Sequence, residues 1–333
     1  MKKILLLATG GTIASQPTAT GLAPRLSPEV FLERMPQLGD ICEIEADTLF
    51  SLDSSSIRPE HWQRMARRIY RELPHVDGVV LCHGTDTMAY TAAALFSMLP
   101  GLHKPVILTG SQLPFEAEHT DAVRNLEDAC RVCASGKFPG VYIVFDGEII
   151  SGICASKAHT VDFHGFASVN YPSAGTIKNG AIHKNGQFQP PHPVSGTGAQ
   201  LKDALNPKVI CLKLTPGLDG RMLDVVREQG VAGVILEAFG AGGIPCADDS
   251  FLEAIDRCAK QGIPVAVTTQ CSHGPANLGV YEVGVKAAMA GAICGQSMSR
   301  EMLAVRLMWA LGQMEGAKDA KDMEQIRKML FQW

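Results

Sequence analysis

Three short polar segments, each directly after an apolar run, carry side chains that can do nucleophilic chemistry. The runs "LLLA", "GVVLC" and "PVILT" precede Thr9-Gly10-Gly11-Thr12, His83-Gly84-Thr85-Asp86-Thr87 and Gly110-Ser111-Gln112. A threonine hydroxyl is a poor nucleophile until a base takes its proton and hydrogen-bond donors stabilise the developing oxyanion. Gly11 would let backbone N–H groups approach a substrate, and Thr85 and Asp86 add a hydroxyl and a negative charge. The pattern therefore favours Thr12 as a nucleophile.

The base that such a nucleophile needs is still missing from these three segments. Lys157, in "ICASKAHT", follows another apolar run, and a lysine amine acts as a base where burial lowers its pKa. Each segment alone also fits a plainer role, because glycines and hydroxyl residues are common in turns and most lysines lie on the surface. A phosphate loop is disfavoured, since "TGGTIAS" matches neither G-x-G-x-x-G nor G-x-x-x-x-G-K-[ST].

Alternating strand-like and helical segments must position these residues. Apolar runs predict strands at Lys3–Ala8, Gly78–Cys82, Pro105–Thr109 and Val141–Phe145. Helical spacing predicts helices at Pro59–Glu72, Thr87–Leu99 and Asp121–Cys133. This order is typical of a parallel sheet flanked by helices, in which ligands bind at the carboxyl ends of the strands. The polar segments are therefore expected to meet at one edge of the sheet.

The composition changes near residues 179 to 206, where "QPPHPVSGTG" is rich in Pro, Gly and Ser and shows no periodicity, and this predicts a linker. A second alternating set follows, with strands at Lys208–Leu212, Gly233–Leu236 and Pro264–Thr268, helices at Asp219–Gln229 and Asp248–Gln261, and a last helix capped by Ser299. We predict an α/β fold of two α/β domains. The larger N-terminal domain, residues 1–187, has a mostly parallel sheet flanked by helices and carries the threonines. A linker at 188–207 leads to a smaller parallel α/β domain at 208–333.

Composition narrows the range of partners and compartments. The chain of 333 residues has a formal net charge of -4 and no basic block, which argues against nucleic acid as a partner. The sequence contains no run of about 18 apolar residues, so we predict no membrane span. The apolar start "MKKILLLA" is too short for a secretion signal. Dispersed cysteines predict reduced thiols in a cytoplasm, and the C-x-x-C at Cys130 and Cys133 lacks the second pair of a structural zinc site.

Taken together, these residues resemble the bacterial-type L-asparaginases, most closely the cytoplasmic type I branch. "ATGGTIAS" and "LCHGTDTMAYTAAAL" match the two threonine signatures, and "DSSSIRPEHW" resembles the substrate-binding turn. "SKAHTVDFHGFASVNYP" resembles the lysine segment, and "TTQCSHGPANLGVYEVG" is typical of type I. The resemblance runs from the first strand to about Leu311, so it covers nearly the whole chain. It implies an asparaginase/glutaminase-like fold and hydrolysis of L-asparagine to L-aspartate and ammonia, without metal or organic cofactor.

The same resemblance implies roles for individual residues. The catalytic residues would be Thr12, Thr85, Asp86 and Lys157. The substrate-binding residues would be Gly11, Asp53, Ser54, Ser55, Gly84 and Ser111. Thr12 would form the acyl-enzyme, and Lys157 would relay the proton. Ser54 would hold the substrate α-carboxylate and Asp86 the α-ammonium. Gly11 and Thr85 would donate backbone N–H groups to the oxyanion.

Several positions depart from the family pattern or add to it. Leu22 stands where many members carry a tyrosine that activates the nucleophile, and Gly243 where many carry an asparagine that reaches a neighbouring subunit. Tyr281 or a water is a candidate for the missing hydroxyl. We expect weaker activity toward glutamine than toward asparagine. Ser156 and Cys271 match positions where some type I enzymes bind a second asparagine.

Two other functions share these features. The asparaginase-like subunit of a tRNA-dependent amidotransferase has both threonine signatures, but carries an extra N-terminal domain, whereas the first strand here begins at Lys3. An asparagine-sensing protein would explain Leu22 and Gly243, although binding alone would not need the nucleophile. The resemblance further implies a homodimer or a dimer of dimers. His83, beside Thr85, is interpreted as a hydrogen-bonding residue beneath the loop, with proton transfer as the alternative.

Overall fold

The computed structural model describes residues 1–19, 21–189, 198–314 and 320–332. These form two compact units, Met1–Asp203 and Ala204–Trp333. Part of the predicted linker, residues 190–197, lies outside the described residues.

Among its described residues, the first unit has twelve strands, eight of which form one sheet. Its strands are β1 (Lys3–Gly10), β2 (Ser15–Thr18), β3 (Gly21–Pro24), β4 (Glu43–Leu52), β5 (Gly78–Cys82), β6 (Pro105–Thr109), β7 (Gly140–Phe145), β8 (Glu148–Ser151), β9 (Ala155–Lys157), β10 (Phe166–Ser168), β11 (Gly175–Lys178) and β12 (Ala181–Lys184). Its helices are α1 (Pro28–Arg34), α2 (Pro59–Glu72), α3 (Met88–Met98) and α4 (Ala122–Ser135), with 3₁₀ helices at Thr12–Ala14, Pro36–Asp40 and Ser54–Ser56.

The strand order in this sheet is β12-β11-β8-β7-β6-β5-β1-β4. The pairs from β4 through β7 are parallel, and β8, β11 and β12 join antiparallel. The hairpins β2–β3 and β9–β10 stand apart from the sheet. Parallel pairing of β1, β5 and β6 places their carboxyl ends side by side, as the sequence predicts.

Burial explains why some of these elements can be predicted from the sequence. Every residue of β5 and β6 is buried, so both strands appear as uninterrupted apolar runs. The predicted bounds of β5, β6 and α2 are confirmed residue for residue. Strand β4 was not predicted, because it is an edge strand whose side chains are half-buried or exposed, with no apolar run.

The second unit holds a smaller, wholly parallel sheet. Its strands are β13 (Val209–Lys213), β14 (Gly233–Ala238), β15 (Val265–Thr269) and β16 (Ile293–Cys294), paired in that order. Its helices are α5 (Arg221–Glu228), α6 (Ser250–Lys260), α7 (Glu282–Met289), α8 (Arg300–Gln313) and α9 (Ala320–Phe331). The predicted cap of α8 is confirmed, because Ser299 Oγ accepts a hydrogen bond from Met302 N at 3.1 Å. The α/β fold with a larger N-terminal and a smaller parallel C-terminal part is therefore confirmed.

Within the described ranges, none of the helices combines the length and the apolar character that a bilayer crossing requires.

Candidate active site

Two glycines bring the ends of β1 and β5 into backbone contact. Gly11 has a φ of +82°, and a Cβ built on it would lie 2.3 Å from the backbone N of Gly84. A Cβ on Gly84 would in turn lie 2.7 Å from Ser54 Oγ. Only glycine fits at such approaches. Because Thr12 follows Gly11 and Thr85 follows Gly84, the two predicted threonines stand at one junction of the fold.

Hydrogen bonds of the neighbouring residues fix the turn that carries Thr12, while Thr12 itself stays partly exposed. Gly11 N donates to Leu52 O at 3.0 Å, and Ser15 Oγ donates to Gly11 O at 3.0 Å. Ala14 O accepts from the N–H groups of Arg25 and Leu26. Thr12 itself is half-buried at the start of its 3₁₀ helix. The chain on either side of Thr12 is therefore fixed by backbone contacts.

A lysine, a threonine and an aspartate form a hydrogen-bonded group at the end of β5. Lys157 Nζ donates to Thr85 Oγ1 at 2.8 Å and to Asp86 Oδ1 at 2.5 Å. Thr85 is buried, the Lys157 side chain is 18% exposed, and the Asp86 side chain is 62% exposed. Lys157 ends β9, where it pairs with Phe166 of β10. An ammonium group is thus held between a buried hydroxyl and a carboxylate that is open to solvent.

The segment from Asp53 to Ser55 forms a polar turn against the end of β5. Asp53 caps the 3₁₀ helix, since its Oδ1 accepts from Ser55 N at 2.9 Å and from Ser55 Oγ at 2.5 Å. Ser54 is buried, and its carbonyl accepts from Thr87 Oγ1 at 2.8 Å. This bond ties the turn to the segment that carries Thr85. The structure therefore brings Ser54, Gly84 and Gly11 together.

The segment after β6 holds Ser111, a predicted substrate-binding residue, and Gln112, the last residue of the third polar segment. Ser111 is buried, and its hydroxyl donates to the carbonyl of Leu113. Gln112 faces Thr85, with Oε1 3.5 Å from Thr85 Oγ1. The sequence signal for Gln112 is its place in the polar segment that follows a buried strand.

His83 lies beneath this junction in a chain of hydrogen bonds. Trp62 Nε1 donates to Thr91 Oγ1 at 3.0 Å, Thr91 Oγ1 lies 2.9 Å from His83 Nε2, and His83 Nδ1 lies 2.7 Å from Gly84 O. A carbonyl only accepts, so Nδ1 carries the proton and Nε2 accepts from Thr91. Burial lowers the pKa of His83 to about 4, so the ring is neutral at neutral pH. His83 therefore orients the Gly84 carbonyl, as in the structural role expected for it.

This histidine makes the stability of the fold depend on pH. His83 has an ordinary pKa of 6.5 and a folded pKa of about 4, so the unfolded chain binds more protons between these values. Its contribution is fully present above pH 6.5 and is lost as the pH falls toward 4. We expect His83→Gln to lessen the drop in unfolding free energy between pH 7 and pH 5 by about 2 kcal/mol. Urea unfolding of both proteins at the two pH values measures it.

Comparing the variant with the wild type also cancels the contribution of Asp128 to the pH dependence of stability, which opposes that of His83. Burial raises the pKa of Asp128 to about 6, which favours the folded state at lower pH, and this effect is common to both proteins. Equal pH dependence of wild type and His83→Gln would show that His83 titrates normally in the fold.

The positions that depart from the family pattern lie in different parts of the chain. Leu22 is 57% exposed on β3, paired with Pro17 of β2. Gly243 belongs to the second unit, where its backbone pairs with Phe239. Tyr281 and Cys271 are exposed in that unit, whereas Ser156 is buried in β9 of the first. Leu22 therefore brings no hydroxyl to the hairpin that follows Thr12.

All ten cysteines are free thiols, and Cys130 and Cys133 are buried in α4. Across the described part of the chain, no three His, Cys, Asp or Glu side chains are grouped so that they could hold a metal ion.

Comparisons with known proteins cover both units. The N-terminal asparaginase model matches residues 3–189, and the glutaminase/asparaginase C-terminal domain model matches residues 208–329. The L-asparaginase of Thermococcus kodakarensis is 38% identical, over 98% of this chain and 96% of the relative. A glutamyl-tRNA(Gln) amidotransferase subunit of Pyrococcus abyssi is 32% identical, over 99% of this chain and 75% of the relative. The crystal structure of L-asparaginase I from Vibrio cholerae superposes with a TM-score of 0.86 at 28% identity, covering 100% of this chain and 97% of that one.

Proposed function

The chain belongs to the asparaginase family, and from that membership we propose that it hydrolyses L-asparagine to L-aspartate and ammonia. The observation that carries the proposal is the contact of Lys157 Nζ with Thr85 Oγ1 and Asp86 Oδ1 at the strand end. This end meets Gly11, the residue before Thr12. The alignment with the L-asparaginase of T. kodakarensis over 96% of that relative supports the same activity.

In the proposed reaction, Thr12 Oγ1 attacks the carbon of the side-chain amide. Its proton passes to Thr85, and a neutral Lys157 amine takes the proton that Thr85 gives up. Backbone N–H groups of Gly11 and Thr85 stabilise the oxyanion. The relay then protonates the amide nitrogen, ammonia leaves, and an ester to Thr12 remains. A water molecule hydrolyses this ester to L-aspartate and restores the threonine.

Substrate binding requires one group for each charge of a zwitterion. In the proposal, the turn of Asp53, Ser54 and Ser55, which lies against Gly84, holds the α-carboxylate. The exposed Asp86 carboxylate holds the α-ammonium. Ser111 supports the turn after β6 through its bond to Leu113 O. The bond from Thr87 to Ser54 O supports this arrangement, because it fixes the distance between the two halves of the site.

Gly11→Ala is expected to lower kcat/KM by roughly 100-fold or more, because its Cβ would force Gly84 and the nucleophile apart. Gly21→Ala is the matched control. Gly21 also has a positive φ, of +124°, but a Cβ there meets nothing within 4 Å. It should therefore lose about 1 kcal/mol of stability and keep its activity. Equal losses of activity in the two variants would mean that backbone strain, not the close approach, matters.

The amidotransferase relative makes a second function testable. The amidotransferase subunit of P. abyssi aligns with 99% of this chain, so the same site could release ammonia for a partner enzyme. Under that function, ammonia release would require glutamine together with the partner protein and tRNA. The higher identity and the 96% coverage of the asparaginase favour the first function.

Ammonia release by the purified chain alone separates these functions. We expect release from L-asparagine, and slower release from L-glutamine, over a range of concentrations. If neither substrate yields ammonia while L-asparagine still binds, the chain is a sensor. Ammonia release only with glutamine, tRNA and a partner protein would indicate the amidotransferase. We also propose a cytoplasmic homo-oligomer, and sedimentation would distinguish a dimer from a dimer of dimers.

A further inference from the structure

The backbone at Gln112 is held by a carboxylate. Gln112 N donates to Asp121 Oδ2 at 2.9 Å, and Leu113 N donates to Asp121 Oδ1 at 3.0 Å. Asn125 Nδ2 also donates to Asp121, at 3.0 Å, and to Gly110 O at 3.0 Å. Three donors on one carboxylate fix the turn after β6. The Gln112 side chain thus starts from a rigid base.

The side chain of Gln112 spans from Thr85 to the loop that follows Lys157. Its Nε2 donates to Asp162 O at 2.8 Å, and its Oε1 lies 3.5 Å from Thr85 Oγ1. The first contact fixes the orientation of the amide, because a flipped amide would turn Oε1 toward a carbonyl oxygen. An acceptor, and not a donor, therefore faces Thr85.

The direction of the Thr85 hydroxyl proton gives Gln112 Oε1 a role. Lys157 Nζ donates to Thr85 Oγ1 at 2.8 Å, so the Thr85 oxygen uses a lone pair and its own proton must point elsewhere. Gln112 Oε1 accepts that proton when Lys157 is an ammonium. The Thr85 hydroxyl is thereby held with a lone pair toward Lys157 Nζ.

The space for the amide depends on a glycine. A Cβ on Gly165 would lie 3.0 Å from Gln112 Nε2 and 3.6 Å from Asp162 O. Gly165 O accepts from the N–H groups of Ala158 and His159, which closes the loop after Lys157. Gly165 therefore allows Gln112 to reach the loop and Thr85 at once.

We propose that Gln112 is a positioning residue that draws the Thr85 O–H to itself, keeps a lone pair of the Thr85 oxygen toward Lys157 Nζ, and fastens the loop after Lys157. Its contribution to turnover rests on the proposed function, whereas its effect on Lys157 does not. Gln112 acts through Thr85, whose hydroxyl it contacts.

Kinetics of Gln112→Met test the role in turnover. Methionine keeps the length of the side chain and removes both amide atoms. We expect kcat for L-asparagine to fall roughly 10-fold to 100-fold, with KM changed less than about 3-fold. Gln63→Met is the matched control, because Gln63 Nε2 also donates to a backbone carbonyl, that of Asp203, at 2.8 Å. Unchanged kcat in Gln112→Met, or equal losses in both variants, would overturn the proposal.

Gly165→Ala perturbs the same contact without changing Gln112, and Gly186→Ala is its control. Gly165→Ala should lower kcat in the same direction as Gln112→Met, since the added methyl displaces the amide. Gly186→Ala should leave kcat unchanged, because a Cβ at Gly186 meets nothing within 4 Å. Full activity of Gly165→Ala would contradict the proposed fit of the amide.

Chemical labelling tests the proposal independently of turnover. The rate of Lys157 acetylation by acetic anhydride is followed by mass spectrometry in wild type, Gln112→Met and Gln63→Met. Because the Gln112 amide fastens the loop after Lys157, its loss should expose the amine and raise this rate in Gln112→Met only. An unchanged rate in Gln112→Met would overturn the inference. A raised rate in Gln112→Met, alongside a wild type that releases no ammonia, would sink the proposed function alone.

Discussion

Thr12→Ala is expected to reduce ammonia release from L-asparagine by on the order of 10⁴-fold or more, because no other hydroxyl takes its place in the proposed acyl transfer. The fold should persist. Thr12 is half-buried, and the chain around it is held by backbone bonds of Gly11 and Ala14. Initial rates and thermal unfolding of the variant measure the two expectations separately.

Thr12→Ser is the matched control for this variant. Serine keeps the hydroxyl and loses one methyl group, so it should retain a measurable fraction of the activity. Turnover of Thr12→Ala near the wild-type rate would show that water or another residue attacks the amide. Loss of activity together with loss of folding would assign Thr12 to the structure instead.

Lys157→Met is expected to lower kcat by on the order of 10³-fold. Methionine keeps most of the aliphatic stem and removes the ammonium that Thr85 and Asp86 share. The relay then has no group to take the proton of Thr85. Steady-state kinetics with L-asparagine measure the effect, and Lys137→Met, at an exposed lysine, is the control for general charge loss.

Lys157→Arg separates a base from a fixed positive charge. A guanidinium remains protonated in proteins, so arginine restores the charge but cannot accept the proton. We expect this variant to be as inactive as Lys157→Met. Recovery of activity in Lys157→Arg would mean that Lys157 supplies charge to Asp86 and Thr85 and takes no part in proton transfer.

Sequence predicted best those elements of the fold whose side chains follow a regular burial pattern. β5 and β6 are buried at every residue, and α2 has one buried and one exposed face, so each has an unmistakable pattern. β4 was missed because it borders the sheet, and the antiparallel β11 and β12 because each has only four residues. Edge and short strands depend on partners that lie far away along the chain.

The same division applies to the site. The placement of Thr12, Thr85 and Asp86 at one edge of the sheet could be predicted, because parallel strands end at the same edge. The position of Lys157 beside Thr85 needed the family resemblance, since β9 lies outside the large sheet. The contacts of Gln112 could not be predicted, because its partners Thr85 and Asp162 lie 27 and 50 residues away along the chain. Such contacts arise only once the turn and the loop have packed.

The most direct test of a threonine acyl-enzyme is the partition of L-asparagine turnover between water and hydroxylamine. An ester to Thr12 would react with either nucleophile after ammonia has left. We predict that rising hydroxylamine concentrations convert the product from L-aspartate to its β-hydroxamate in the wild type, and that Thr12→Ala forms neither. Only L-aspartate at every hydroxylamine concentration, or hydroxamate formed equally well by Thr12→Ala, would contradict a covalent intermediate on Thr12.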